Sequence, residues 1–72
     1  MVSIKVSVGS RIREIRIENN YTQAHLAEIA GMSPDFISRV ERGKSIPSLE
    51  RIALIAESMG CHLRDFFDSR FF

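Results

Sequence analysis

The eleven residues from Ser33 to Gly43, SPDFISRVERG, leave the chain little choice of local structure. Ser33 offers a hydroxyl to the unpaired N–H groups of a helix start. Pro34 suits the first helical position, where its absent N–H would go unused, and Gly43 accepts the left-handed conformation that closes a helix. The segment predicts a helix of about two and a half turns. Ile37 and Val40, three apart, mark one buried stripe, while Asp35, Phe36, Ser38, Arg39 and Arg42 fall largely on the other faces.

The segment before it reads as a second short helix. Thr22 caps TQAHLAEIA, whose Leu26, Ala27 and Ala30 form a narrow apolar face of small residues that lets a neighbouring helix come close; Gly31 ends it and Met32 fills the gap to the next helix. Two helices joined by a turn of about three residues containing Gly make the helix-turn-helix unit, whose second helix enters a major groove. A guanidinium, a carboxylate and an aromatic ring on an outward helix face can address base edges there.

The flanks supply the rest of a small helical core. Ser10 is placed to cap a helix to about Asn19, with Ile12 and Ile15 inward, Ile17 outside that stripe, Asn20 as a left-handed stop and Tyr21 packing back. After Gly43 comes the loop KSIP with Lys44 at its tip. Ser48 then caps a helix through Met59, with Glu50 suited to its dipole and Leu49, Ile52, Ile55, Ala56 and Met59 as the inward stripe before Gly60. A last helix, roughly 62–68, offers Leu63, Phe66 and Phe67.

Val2, Ile4, Val6 and Val8 alternate with Ser3, Lys5 and Ser7, the period of a half-buried strand. No other segment reads as a strand. Residues 1–8 are therefore expected to pair with another chain across a dimer axis, to lie as an extended arm, or to form a disordered terminus. The division expected is an arm over 1–8, a DNA-binding domain over 9–68 and a tail over 69–72.

At 72 residues the chain makes one domain with a core of marginal stability, which dimerisation would help. Its net charge of +1 is weak evidence for nucleic acid. Residues 1–45 carry seven Lys/Arg against five acids and residues 46–72 three against four, a basic front and a slightly acidic back. No apolar run is long enough to span a bilayer and no leader is evident, so a cytoplasmic location and no membrane partner are expected. Cys61 stands alone, which excludes an internal disulfide; with His62 and the distant His25 it lacks the paired spacing of a zinc site. Neither a nucleophile with its base nor a Gly-rich phosphate loop is present, so no enzyme activity, cofactor or metal is expected.

Taken together, IREIR (12–16), TQAHLAEIAGM (22–32), ISRVERGK (37–44) and PSLERIALIAESMG (47–60) resemble the lambda-repressor-like, Cro/cI-type (XRE) helix-turn-helix domains, over roughly residues 9–67. The resemblance implies an all-α bundle of five helices, acting as a homodimer on a palindromic operator in double-stranded DNA. With Phe36-Ile37-Ser38 in the recognition helix, the chain is particularly similar to the small controller proteins of restriction-modification systems. It departs from the family in the alternating arm and in His25, where Glu or Asp is common and would complete a capping box.

Carried over by position, Ser33, Pro34, Asp35, Phe36 and Arg39 are the expected base readers. Thr22, Gln23, Ser38, Arg42 and Lys44 are the expected phosphate contacts, Gln23 also bracing the recognition helix. Arg39 is the first choice for guanine, whose O6 and N7 a guanidinium matches. Asp35 either accepts from cytosine N4 or holds Arg39 one turn on; Phe36 meets a thymine methyl or completes the core. Arg16 and Glu41 fall where several relatives place a buried ion pair. The pairing surface is expected from Ile46, Leu54, Phe66, Phe71 and Phe72, with Val2, Ile4 and Val6 of the arm added. Such a regulator blocks RNA polymerase or contacts and recruits it, according to operator position. An antitoxin that also binds a toxin, and an adaptor that has lost DNA binding, are the alternatives.

Overall fold

The computed structural model describes residues 3–67. Val2, Phe71 and Phe72, assigned above to a pairing surface, lie outside the described residues, as does the 69–72 tail. The order of elements is α1 (Ile4–Glu18), α2 (Gln23–Ala30), α3 (Pro34–Glu41), α4 (Leu49–Ser58) and a 3-10 helix, Leu63–Phe66. The fold is all-α with no strand among the described residues. Among the described residues, four α-helices and a single 3-10 turn take the place of the five helices expected.

The beginning of the chain is where the structure departs most from the expectation. Residues 4–8 are neither a strand nor an extended arm but the first turns of α1, which starts six residues before Ser10. Ser3 caps it, its Oγ accepting from the Val6 N–H at 3.3 Å. The physical reason is backbone pairing: a lone strand leaves its N–H and C=O groups without partners, whereas a helix satisfies them internally. Val8, Ile12 and Ile15 then share one helical face and are buried together.

Gly9 lets this longer helix reach the core. A β-carbon there would collide with the Val40 carbonyl oxygen and lie 3.1 Å from that of Glu41, so α1 crosses the end of α3 in backbone contact. One turn earlier, Val6 rests on Gly43, whose φ of +73° favours glycine in any case. The start of α1 is thereby seated on the loop that follows α3.

Leu26 and Ala27 of α2, Ile37 and Val40 of α3, Ile52 and Ile55 of α4 and Phe66 close the core around α1. Phe66 is 0% exposed, which corrects its assignment to a pairing surface. The short 3-10 helix turns its ring inward, and Arg11 Nε donates to the Asp65 carbonyl at 2.8 Å, tying that turn to α1. Leu49 is a second correction. As the first residue of α4 it lies beyond the reach of the core and is 68% exposed. Ile4, Val6, Ile46 and Leu54 are likewise exposed.

Candidate nucleic-acid interface

The α2 helix, the Gly31-Met32-Ser33 turn and α3 are each fixed by a local device. Thr22 Oγ1 accepts from the His25 N–H at 3.0 Å and Ser33 Oγ from the Phe36 N–H at 3.1 Å, so each helix start has one orphan donor satisfied by its own cap. Gly31 closes α2 in the left-handed conformation. At the far end of α3 the Lys44 N–H bonds the Arg39 carbonyl at 2.9 Å and the Gly43 N–H the Val40 carbonyl at 3.1 Å, a Schellman closure. That closure sets Arg42 and Lys44, both exposed, just past the end of α3.

A single carboxylate locks the unit from beneath. Glu41, its side chain 1% exposed, accepts from Arg16 Nε at 2.7 Å, from Arg16 Nη2 at 3.1 Å and from Gln23 Nε2 at 3.1 Å. Arg16 also donates through Nη1 to the Tyr21 carbonyl at 2.7 Å. The end of α1, the first residue of α2 and the last of α3 therefore meet at one charge pair. The pair thereby ties both helices of the unit to α1.

On the opposite, outward side Ser33, Pro34, Asp35 and Arg39 are all exposed. Arg39 Nε stands 3.3 Å from Asp35 Oδ2, one turn away on the same face. Phe36 is half-buried: it packs against the core and also carries the Arg39 guanidinium at 5.8 Å from its ring centre. Arg39 is thus held at two points by its own helix. Ser38 is half-buried, and its carbonyl accepts from Arg42 Nε at 3.3 Å. Near the start of α2, His25 meets the Tyr21 ring edge-on at 4.7 Å.

One cation on this surface has no signal in the sequence. Arg51 of α4 stands with its guanidinium 5.2 Å from the Phe36 ring centre. It reads as an ordinary solvated charge near a helix start, and only tertiary packing brings it to α3. Elsewhere, Cys61 is partly buried, and that burial, with the negative Asp65 nearby, pushes its thiol pKa up and keeps it protonated near neutral pH. No group of three or more His, Cys, Asp or Glu among the described residues gathers to hold a metal. No helix among them is long and apolar enough to cross a membrane.

Two short helices at a capped glycine turn, the second showing a polar face and seated by a buried ion pair, define a helix-turn-helix domain. The chain belongs to the XRE-type helix-turn-helix family HTH_3, whose model matches residues 12–66. It is 38% identical over 55 residues to the immunity repressor protein of Bacillus phage phi105, a match covering 76% of this chain and 38% of that one. It is 31% identical over 67 residues to the control protein C.BamHI of Bacillus amyloliquefaciens, covering 92% of this chain and 83% of that one. The restriction-modification controller protein C.AhdI from Aeromonas hydrophila superposes with a TM-score of 0.85 at 32% identity, over 88% of this chain and 96% of that one. The chain spans less than two fifths of the length of the phage repressor.

Proposed function

We propose that this protein is a sequence-specific DNA-binding transcriptional regulator that occupies an inverted-repeat operator as a homodimer and reads bases from α3. The observation that carries the reading is the outward Asp35–Arg39 pair beside Phe36, on a helix whose orientation is fixed from behind by Glu41. A guanidinium held in this way matches the O6 and N7 of guanine. Ser33 and Pro34 lead the same helix into the groove. The start of α2 at Thr22 and Gln23, with Ser38, Arg42 and Lys44 at the other side, takes phosphates and sets register.

Two recognition helices about 34 Å apart meet successive major grooves, and pairing two small modules supplies the affinity that one lacks. Exposed Ile46 and Leu54 are the core of the proposed pairing surface, with Ile4 and Val6 of α1 as further candidates. Likeness to two controller proteins over most of their lengths favours a restriction-modification controller acting in the cytoplasm. Its operator position decides whether it blocks or recruits RNA polymerase.

The test is selection of bound duplexes from random DNA by the purified protein. An enriched inverted repeat supports the reading; recovery of no duplex above background contradicts it.

A further inference from the structure

Arg51 lies on α4, outside the helix-turn-helix unit, yet its guanidinium is nearer the Phe36 ring than that of Arg39, at 5.2 Å against 5.8 Å. Both cations, the ring and Ser33 border one open cleft of about 340 Å³ between the Gly31–Ser33 turn and α4. The two arginines differ in what they have left to give. Arg39 directs its Nε at Asp35, whereas among the described residues the Arg51 guanidinium has the aromatic ring as its partner and makes no hydrogen bond or ion pair. Its five N–H donors remain available.

The geometry points to Arg51 as a further DNA-binding residue, one that grips a backbone phosphate beside the bases Arg39 addresses. The inference rests on the DNA-binding reading and extends the contact surface from α3 to α4. A phosphate is the favoured ligand because Arg51 enters the cleft from its α4 wall, not from the outward face of α3. A guanidinium fork also matches two phosphate oxygens at once. Contact with the Phe36 ring restricts the side chain before DNA arrives, so less rotamer freedom is lost on binding. Asp35 is the one carboxylate on the outward face of α3, and it is engaged by Arg39, so the cleft presents a surplus of positive charge to an incoming anion.

The experiment measures affinity of the whole protein for its selected operator from about 50 to about 200 mM salt, for wild type, Arg51→Ala and Arg51→Lys. In Arg51→Ala the slope of log affinity against log salt falls by about 0.9 for each bound protomer, so its deficit narrows about 3.5-fold per protomer across that range. Arg51→Lys retains the wild-type slope, and the selected base preference is unchanged in both. An unaltered slope in Arg51→Ala overturns the inference, and so does a relaxed base preference without a slope change, which would mark a residue that only braces Phe36. Wild-type protein showing no salt-dependent binding would instead overturn the DNA-binding reading itself. Arg51 is exposed on a helix, so alanine there leaves the fold intact, and circular dichroism of both variants checks this.

Discussion

Glu41 accepts two hydrogen bonds from Arg16, at 2.7 and 3.1 Å, across the junction of α1 and α3. With its side chain 1% exposed and that of Arg16 11% exposed, the pair is a buried one, and its two halves depend on each other. Glu41→Ala strands the guanidinium and should cost about 3–5 kcal/mol, a large part of the stability of a domain this size. Replacing both residues by apolar ones should cost less than the two single changes added together. Urea denaturation of the three variants gives the comparison.

Gly9 offers a test of sign. Alanine in place of glycine inside a helix ordinarily stabilises by roughly 1 kcal/mol through propensity. Here the added methyl meets the Val40 carbonyl oxygen, part of a packed backbone that cannot move without shifting α3. Gly9→Ala should therefore lower stability, by about 1–3 kcal/mol as for other overpacked sites. A raised melting temperature would mean that α1 does not lie against α3 as described.

Phe66 and Leu54 should separate folding from self-association. Phe66 is enclosed, so Phe66→Ala removes a ring from the core and should cost about 3–5 kcal/mol in chemical denaturation. Leu54 is exposed on α4, and Leu54→Ser should change the stability of the monomer by less than about 0.5 kcal/mol. Its expected effect is a weaker dimer, read by sedimentation equilibrium.

Lys44 should act on all sequences alike. Its ammonium is exposed just past the Schellman closure of α3, at the position proposed above for a phosphate contact, which sets register without specifying sequence. Lys44→Ala should lower affinity for the operator and for unrelated duplexes by the same factor. The salt slope should fall by about 0.9 per protomer.

Much of the helix-turn-helix unit was legible because its signals are local. Thr22, Ser33 and Ser48 each accept from the N–H three residues on, a relation written in the chain itself. The spacing of Ile37 with Val40 and of Ile52 with Ile55 likewise needs nothing beyond a helical period. Residues 4–8 were misread because their valines and isoleucine fit a strand period as well as a helical one. The Ser3 cap is as local as the others, but the deciding fact, the seat of Gly9 against Val40, depends on a helix 31 residues away in sequence. Phe66 was misplaced for a related reason: an aromatic near a chain end gives no sign of whether it turns inward. Arg51 was invisible, since its partner ring lies on a different helix.

The central claim is that α3 reads bases through Arg39, and the most direct measurement is the base preference of Arg39→Ala on single-base variants of the selected operator. The account predicts that discrimination disappears at one base pair in each half-site, a loss of roughly 1–3 kcal/mol there, with preferences elsewhere retained. Preferences identical to those of the wild type at every position would contradict it.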